Sequence, residues 1–330
     1  MKKVLLLTTG GTISAKDNGE GAKPEMDSNM LLSYAKDIYN YFMVDTKDIL
    51  SLDSSNIQAE EWRIIAKAVF DNLKAYDGIV ITHGTDTMAY TASMLSYMLM
   101  NLKKPVVLTG SQMPIDHLLT DAKNNLYTAF SAIEANIFGV SIAFNNKVIK
   151  GCRAVKVRTL GFEAFESVNA EYLGMVTANG LKLNGNNPIK KYGKTKLMDN
   201  ISNKVFLLKL VPGTEPEVLY MLKELGYKGV VIETFGLGGM HYSRRNLLEG
   251  VAKLISEGIP VVTCSQCLYE TSDFSQYEVG RKLLNCGVIP AMDMTTEAAV
   301  TKLMWALGQT SEMEKIRKIF NINYVGEIDI

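Results

Sequence analysis

Short continuous apolar segments alternate with longer amphipathic stretches from one end of the chain to the other. Between the apolar segments, hydrophobic residues recur at helical spacing. Apolar strands separated by helices are typical of a parallel sheet that is covered on both faces. The pattern therefore predicts an α/β fold, with strands at 3–7, 78–82, 105–109, 140–144, 205–210, 229–233 and 260–263 and helices at 60–73, 86–101, 121–136, 216–224, 244–257 and 295–307.

The alternation is interrupted between residues 179 and 200, where Asn, Lys and Gly dominate and apolar periodicity is weak. Such a composition is typical of surface turns and linkers. We therefore predict a larger N-terminal domain at 1–190, a linker at 191–203 and a smaller α/β domain at 204–330. The N-terminal domain is expected to contain a parallel sheet of the flavodoxin or Rossmann type.

Composition excludes several classes of protein. Of 330 residues, 47% are hydrophobic and 21% are charged, and 35 basic residues balance 35 acidic ones. This composition excludes a disordered chain, and zero net charge argues against partners such as nucleic acid or an anionic membrane. The start of the chain offers four apolar residues, at 4–7, whereas a secretion signal needs about 7–15. No segment approaches the ~20 apolar residues of a membrane span, so we predict a cytoplasmic protein.

Metal and nucleotide sites are not indicated. Cys264 and Cys267 have C-x-x-C spacing, but without a second pair or a nearby histidine they are interpreted as buried thiols at a strand end. His83, His117 and His241 are scattered without ligand spacing. The chain has neither the G-x-G-x-x-G fingerprint nor a G-K-[ST] phosphate loop, which argues against a nucleotide-binding oxidoreductase.

Polar segments rich in hydroxyl groups and glycine follow the predicted strands. They read TTGGTIS at 8–14, LDSSN at 52–56, THGTDT at 82–87 and TGSQMP at 109–114. Alone, each could be a tight turn or a helix start. Because ligands of open α/β sheets bind beyond the carboxyl ends of the strands, together they predict a site for a small polar ligand held by hydrogen bonds.

The pair TTGGTIS and ITHGTDTMAYTAS, at 8–14 and 81–93, resembles the two signature segments of the bacterial-type L-asparaginase family. The resemblance covers nearly the whole chain, and without a signal sequence it is strongest to the cytoplasmic, type I members. Further similar segments lie at 53–56, 105–114, 121–125, 151–156, 162–167, 231–239, 266–267, 293–294 and 302–309.

The resemblance implies hydrolysis of L-asparagine to L-aspartate and ammonia without a metal or another cofactor. Amide hydrolysis needs a nucleophile, a proton acceptor and stabilisation of an oxyanion. Thr12 would attack the side-chain amide and form an acyl-enzyme. Thr85, Asp86 and Lys156 would form a second set of hydroxyl, carboxylate and lysine, in which apolar neighbours can lower the pKa of the lysine.

Substrate binding is also implied by the resemblance. Asp53, Ser54 and Ser55 would hold the α-carboxylate and the α-amino group, and Thr85 and Asp86 would contact the substrate as well. Backbone amides near Thr85 and Ser111 are the candidate oxyanion hole. His83 is interpreted as structural, because the family assigns no catalytic role to its equivalent.

The charged, glycine-containing segment 15–23 is typical of a mobile lid over Thr12. Many family members place in this lid a tyrosine that helps to activate the nucleophile, and the matching position here is Ala22. Either another group or a water replaces the tyrosine, or Thr85 carries more of the nucleophilic work. The family also implies a homodimer or homotetramer.

Three alternative functions stay open. A mixed asparaginase–glutaminase would differ by accommodating one more methylene group, which is worth only ~1–3 kcal/mol. A non-catalytic amino-acid sensor on the same fold is disfavoured by the joint presence of Thr12, Thr85, Asp86 and Lys156. The related tRNA-dependent amidotransferase subunit carries an additional N-terminal domain, and we expect no such domain because the chain begins directly at the first predicted strand.

Overall fold

The computed structural model describes residues 1–17, 22–185 and 193–329. The chain forms two compact units, Met1–Met198 and Asp199–Ile330. The helices of the first unit are α1 (Ser28–Ser33), α2 (Ala59–Asn72), α3 (Met88–Met98) and α4 (Ala122–Glu134). Its strands are β1 (Lys2–Gly10), β2 (Ala15–Asp17), β3 (Ala22–Pro24), β4 (Phe42–Leu52), β5 (Gly78–Thr82), β6 (Leu99–Met100), β7 (Pro105–Thr109), β8 (Gly139–Phe144), β9 (Lys147–Lys150), β10 (Ala154–Lys156), β11 (Phe165–Ser167), β12 (Gly174–Thr177), β13 (Gly180–Leu183) and β14 (Lys196–Leu197).

The main sheet of the first unit has eight strands in the order β13-β12-β9-β8-β7-β5-β1-β4. Strands β8, β7, β5, β1 and β4 are parallel to one another. Numbered along the chain, these five follow the order 2-1-3-4-5 that defines a flavodoxin-like sheet. The predicted α/β class is therefore confirmed, and the strand order reverses direction between β1 and β5.

Two parts of this sheet were not predicted. Strand β4 lies at one edge, and its side chains alternate between buried Phe42 and exposed Met43 instead of forming a continuous apolar segment. At the other edge, β9, β12 and β13 extend the sheet in antiparallel fashion. Edge strands expose one face or one side to solvent, so their sequences lack the apolar continuity on which the prediction depended.

The centre of the sheet is anchored by fully buried aliphatic side chains. Val4 and Leu6 of β1 belong to the same core cluster as Val80 of β5 and as Leu126 and Phe130 of α4. All five are at most 1% exposed. Because burial of such side chains is the main force that fixes a parallel sheet against its helices, the carboxyl ends of β1 and β5 are held by rigid neighbours.

The second unit is a smaller parallel α/β layer. Its strands are β15 (Val205–Lys209), β16 (Gly229–Thr234), β17 (Val261–Ser265) and β18 (Ile289–Pro290), paired in that order and all parallel. Its helices are α5 (Glu217–Glu224), α6 (Leu247–Ser256), α7 (Glu278–Cys286), α8 (Thr296–Gln309) and α9 (Met313–Phe320).

The predicted linker at 191–203 contains some regular structure. Within it, Lys196 and Leu197 form β14, which pairs antiparallel with β6 in the first unit. Residues 191 and 192 lie outside the described residues. The boundaries of 1–190, 191–203 and 204–330 stay a prediction.

None of the helices in the described ranges combines the length and the apolar character that a membrane span requires.

Candidate active site

Apart from Lys156, the predicted site residues lie in loops at the carboxyl ends of neighbouring strands. Thr12 begins the 3₁₀ turn Thr12–Ser14 directly after β1, and Thr85 follows β5. Since β1 and β5 flank the point where the strand order reverses, these two loops border the crevice in which sheets of this type bind ligands. Ser54, in the 3₁₀ turn Ser54–Asn56, follows the adjacent strand β4.

Two glycines bring the loops of Thr12 and Thr85 into contact. Gly11 has φ +82°, in the region that favours glycine. A Cβ atom on Gly11 would lie 2.4 Å from the backbone nitrogen of Gly84 and 2.5 Å from its Cα atom. Only a residue without a side chain allows this approach, so the two threonine loops touch through their backbones.

Thr12 is half-buried, and its hydroxyl makes no hydrogen bond to any described residue. The turn itself is held by Ser14, whose carbonyl accepts from the backbone N–H groups of Glu25 and Met26 at 2.9 and 3.0 Å. These bonds close the base of the β2–β3 hairpin. Residues 18–21 of the predicted lid lie outside the described residues, and so does the side chain of Ala22.

Lys156, at the end of β10, joins two of the other predicted residues. Its Nζ atom donates to Thr85 Oγ1 at 2.8 Å and to Asp86 Oδ1 at 2.5 Å. The side chain of Lys156 is 17% exposed and that of Asp86 is 64% exposed, whereas Thr85 is buried. The arrangement is a hydroxyl, an ammonium and a carboxylate in series, open to solvent on the side of the carboxylate.

Gln112 is a neighbour that the sequence analysis did not identify as a site residue. Thr85 Oγ1 donates to Gln112 Oε1 at 3.3 Å. The side-chain nitrogen Nε2 of Gln112 donates to the carbonyls of Thr159 and Gly161 at 3.0 and 3.2 Å, which fixes the orientation of the side-chain amide. The position of Gln112 in the segment TGSQMP, at the end of a buried strand, was the available signal.

Asp53 begins the turn after β4 and accepts from the Ser55 hydroxyl at 2.6 Å and from the Ser55 backbone N–H at 2.8 Å. These hydrogen bonds, helped by the positive charge of Lys156, lower the pKa of the Asp53 carboxyl against a smaller opposing effect of burial. Asp53 is therefore a carboxylate near neutral pH. A carboxylate at this position is suited to an ammonium group of a ligand.

Ser54 is buried and connects its turn to the loop of Thr85. Its carbonyl accepts from the hydroxyl of Thr87 at 2.7 Å. A Cβ atom on Gly84 would lie 2.6 Å from Ser54 Oγ. The structure thus brings the turn of Asp53, Ser54 and Ser55 against the loop that bears Thr85, and Ser54 itself is 3% exposed.

His83 lies in the interior beneath the Thr85 loop. It is completely buried, and its ring nitrogens lie 2.7 Å from the carbonyl oxygen of Gly84 and 2.9 Å from Thr91 Oγ1. Burial lowers its pKa to about 4. The ring is therefore neutral at physiological pH and does not reach the open side of the site.

The loop after β7 is held by two side chains of the α4 region. Asp121 accepts from the backbone N–H groups of Gln112 and Met113 at 3.1 and 3.2 Å. Asn125 donates to Asp121 at 2.9 Å and to the carbonyl of Gly110 at 2.9 Å. This network sets the backbone of the loop that carries Ser111 and Gln112.

The C-x-x-C pair lies in the second unit and differs in part from the prediction. Cys264 is buried, and burial raises the pKa of its thiol to about 12, so it is an unreactive thiol near neutral pH. Cys267 is exposed, contrary to the expectation that both thiols are buried; it follows the end of β17, where the chain leaves the sheet. Within the described ranges, no group of three His, Cys, Asp or Glu side chains could hold a metal ion.

The fold and the site are those of a flavodoxin-like α/β protein with its polar centre at the strand-order reversal. The family model "Asparaginase, N-terminal" matches residues 3–189, and "Glutaminase/Asparaginase C-terminal domain" matches residues 204–320. The chain belongs to the asparaginase family, which confirms the resemblance seen in the sequence.

Individual relatives agree with this assignment. The chain is 43% identical to an L-asparaginase of Thermococcus kodakarensis, over 99% of both chains. The solved structure of a thermostable L-asparaginase from the same organism is also 43% identical and superposes with a TM-score of 0.94 over 99% of both chains. A structure described as a probable cytoplasmic L-asparaginase from Campylobacter jejuni is 29% identical, with a TM-score of 0.83 over 97% of this chain and 99% of the other. One component of the glutamyl-tRNA(Gln) amidotransferase of Metallosphaera sedula is 34% identical, over 98% of this chain and 76% of its own length.

Proposed function

We propose that this protein hydrolyses L-asparagine to L-aspartate and ammonia. The observation that carries the proposal is the joining of Lys156, Thr85 and Asp86 into one hydrogen-bonded series beside the loop of Thr12, in a chain of the asparaginase family. The 43% identity to an L-asparaginase over 99% of both chains supports the same substrate.

Thr12 is the nucleophile in this proposal. Its hydroxyl has no partner among the described residues, so it is available to a substrate. The hydroxyl of Thr85, in contrast, is already engaged by Lys156 and Gln112. Thr12 Oγ1 attacks the side-chain amide carbon, the hydroxyl proton passes to the amide nitrogen, and the C–N bond breaks to release ammonia. Water then attacks the resulting ester, which frees L-aspartate and restores the threonine.

Lys156 and Asp86 supply charge at the two ends of the substrate. The ammonium of Lys156 beside Thr85 Oγ1 favours the negative charge that develops during attack. One carboxylate oxygen of Asp86 accepts from Lys156, and the other, Oδ2, has no partner among the described residues. Because Asp86 is 64% exposed, that second oxygen can accept the α-ammonium of the substrate.

Asp53, Ser54 and Ser55 complete the recognition of the amino acid in this proposal. The carboxylate of Asp53 would share the α-ammonium with Asp86, and the polar groups of Ser54 and Ser55 would bind the α-carboxylate. The contacts between this turn and the Thr85 loop support a common pocket.

The test is ammonia release from L-asparagine and, separately, from L-glutamine by the wild type, Thr12→Ala and Thr85→Ala. We expect rapid release from L-asparagine and a loss of at least ~10³-fold in kcat in both variants. Thermal unfolding of the three proteins serves as the control for folding. Near-wild-type turnover by Thr12→Ala, with loss in Thr85→Ala, would transfer the nucleophilic role to Thr85.

The same assay separates the alternatives. Comparable rates on L-glutamine would make the protein a mixed asparaginase–glutaminase. Binding of L-asparagine without ammonia release from either amide would leave an amino-acid sensor. The similarity to an amidotransferase component is weaker, at 34% against 43% identity, and ammonia release that depended on a tRNA substrate would be the result in its favour.

Location and assembly are part of the proposal. We propose a cytoplasmic homodimer or homotetramer without nucleic-acid or membrane partners. The similarity to a probable cytoplasmic L-asparaginase and the zero net charge support this. Light scattering coupled to gel filtration decides between the two assemblies, and a monomer of 36.5 kDa would contradict both.

A further inference from the structure

We propose that His83 and Asn125 are positioning residues, which aim two backbone N–H groups at the substrate. This inference rests on the proposed function and concerns the peptide groups that join Gly84 to Thr85 and Gly110 to Ser111. Each buried side chain holds the carbonyl end of one peptide, so that the N–H end faces the developing oxyanion.

The two peptide groups have the same construction. Gly84 O lies 2.7 Å from His83 Nδ1, and Gly110 O accepts from Asn125 Nδ2 at 2.9 Å. His83 is 0% exposed and Asn125 is 1% exposed. Both carbonyls therefore point into the protein interior and are bound there by side chains that no solvent reaches.

The opposite ends of these peptides lack partners. The backbone N–H groups of Thr85 and Ser111 donate to no described residue, although both residues are buried. A buried N–H without an acceptor is rare, because leaving it unpaired costs free energy. In a planar trans peptide the N–H points away from the C=O, and no peptide bond in the described residues is cis. Both N–H groups therefore point away from the interior side chains, towards the strand-end crevice.

The two N–H groups belong to neighbouring loops. Strands β5 and β7 pair with Thr82 opposite Thr109, and the ladder continues one step further, where His83 N donates to Thr109 O at 2.8 Å. A Cβ atom on Gly110 would lie 2.3 Å from His83 O. The two loops are thus packed backbone against backbone, and the unpaired N–H groups of Thr85 and Ser111 flank one crevice.

The protonation of His83 follows from its partners. Gly84 O can only accept, so His83 Nδ1 must carry the proton. The neutral ring then accepts at Nε2 from the hydroxyl of Thr91, which in turn accepts from Trp62 Nε1 at 2.9 Å. Every proton in the series from Trp62 to Gly84 is accounted for, and the series favours one tautomer of the ring.

The orientation of Asn125 is equally determined. Its Oδ1 atom accepts from the backbone N–H of Asn145 at 2.8 Å. Its Nδ2 atom must therefore be the group that donates to Gly110 O and to Asp121 Oδ2. A flipped amide would place an oxygen against two acceptors, so the Asn125 side chain can hold the Gly110 carbonyl in only one way.

These contacts act on catalysis in two ways. They fix the peptide planes, so the N–H groups need not reorganise when negative charge develops on the substrate oxygen. A hydrogen bond to a peptide carbonyl also strengthens the N–H of the same peptide as a donor, by about 10–30%. Loss of the side-chain donor should therefore lower kcat and leave KM nearly unchanged, because the amino-acid ends of the substrate bind elsewhere.

The test compares two substitutions of similar size at one buried position. In His83→Asn, the amide nitrogen is attached to Cγ, as Nδ1 is, and can donate to Gly84 O. In His83→Gln, the terminal amide reaches the position of Nε2 and can contact Thr91, but no donor remains at the position of Nδ1. We expect kcat on L-asparagine to fall about 10–100-fold in His83→Gln and less than about threefold in His83→Asn, with KM within about twofold in both.

A second pair of substitutions, at Thr91, tests the same hydrogen-bonded series without changing His83 itself. Thr91→Val removes the hydroxyl that holds the ring at Nε2, whereas Thr91→Ser retains it. ¹⁵N NMR of the imidazole should show the proton on Nδ1 in the wild type and in both variants, because Gly84 O accepts from it in each, and kcat should fall in Thr91→Val, whose ring is no longer held at Nε2. This pair applies even if the His83 variants fail to fold.

The outcomes separate this inference from the proposed function. Ammonia release by the wild type with equal kcat in His83→Asn and His83→Gln, at equal thermal stability, would overturn the positioning role alone. Equal kcat in the two Thr91 variants, or a wild-type proton on Nε2, would do the same. No amide hydrolysis by the wild type would instead overturn the proposed function and the oxyanion hole with it.

Discussion

Lys156 in the first unit and Lys302 in the second are both paired with a carboxylate, but the two pairs differ in what they leave open. Lys302 and Glu327 are each 0% exposed. Lys302 Nζ donates to Glu327 Oε1 at 2.6 Å and to the carbonyl of Ile322 at 2.8 Å, and Glu327 also accepts from the backbone N–H of Val325 at 2.8 Å. This pair is closed, and it ties α8 to the end of the chain.

The pair of Lys156 and Asp86 is open. Two protons of the Lys156 ammonium go to Thr85 and Asp86, and the third has no acceptor among the described residues. Asp86 is largely exposed and keeps a free oxygen. A buried ion pair with every donor satisfied has no capacity left for a ligand, whereas one with unfilled hydrogen-bonding capacity can bind a ligand. The difference between the two lysines therefore lies in what is left unsatisfied and not in the residue types.

The largest expected effect comes from removing the cation of the pair formed by Lys156 and Asp86. Lys156→Met should lower kcat on L-asparagine by at least about 10³-fold, because the hydroxyl of Thr85 loses its cation. The free energy of unfolding should change by less than about 1 kcal/mol, since the partner carboxylate can be hydrated. Ammonia release and urea denaturation measure the two quantities. Lys67→Met, which removes an exposed helical pair with Asp71, is the control and should change neither.

Breaking the closed pair of Lys302 and Glu327 should lower the free energy of unfolding. Lys302→Met leaves the Glu327 carboxylate buried without its cation, and we expect a loss of about 3–5 kcal/mol in the free energy of unfolding. The double variant Lys302→Met/Glu327→Gln removes the charge and should recover part of this loss. Urea denaturation of both variants measures the difference. If Lys302→Met were as stable as the wild type, the proposed difference between Lys302 and Lys156 would be wrong.

Acidification should weaken the first unit through His83. Its pKa is about 4 in the folded protein, against 6.5 without burial. Above pH 6.5 both states are neutral, and between pH 6.5 and 4 the unfolded chain takes up a proton that the folded chain excludes. The free energy of unfolding therefore falls by about 3 kcal/mol over this interval. The difference between the wild type and His83→Asn, measured by denaturation at each pH, isolates this contribution, and a difference independent of pH would contradict it.

Glu297 at the start of α8 should give the second unit the opposite dependence on pH. Burial raises the pKa of its carboxyl from 4.5 to about 7, and the charge of Glu233 adds to this. Between these values the folded chain keeps a proton that the unfolded chain releases, so the free energy of unfolding falls as pH rises from 4.5 to 7. Glu297→Gln should abolish this slope.

The sequence predicted the central sheet well and its edges poorly. Strands β5 and β7 coincide with the predicted 78–82 and 105–109, because their residues are apolar throughout and buried on both faces. Strand β4 escaped prediction because its side chains alternate between exposure and burial. The threonines of the site were visible as motifs, but the contact of Lys156 with Thr85 spans 71 positions and was expected only from the family resemblance.

Interior contacts of the site were beyond sequence reasoning. Gln112 lay in a segment already singled out, but its hydrogen bond with Thr85 depends on the packing of two loops. The bonds of His83 and Asn125 to glycine carbonyls are likewise properties of the folded backbone. A periodic pattern reports which side chains are buried and carries no information about which carbonyl each one meets.

The glycine contacts at the strand ends limit how this protein could be redesigned. Gly11 lies against Gly84, Gly84 against Ser54, and Gly110 against His83, so a side chain added at any of these glycines would displace the next loop. Directed evolution towards longer amides should therefore find almost no accepted changes at these three positions. Altered selectivity would have to come from side chains that line the opening, such as Gln112, while the main-chain frame is inherited intact.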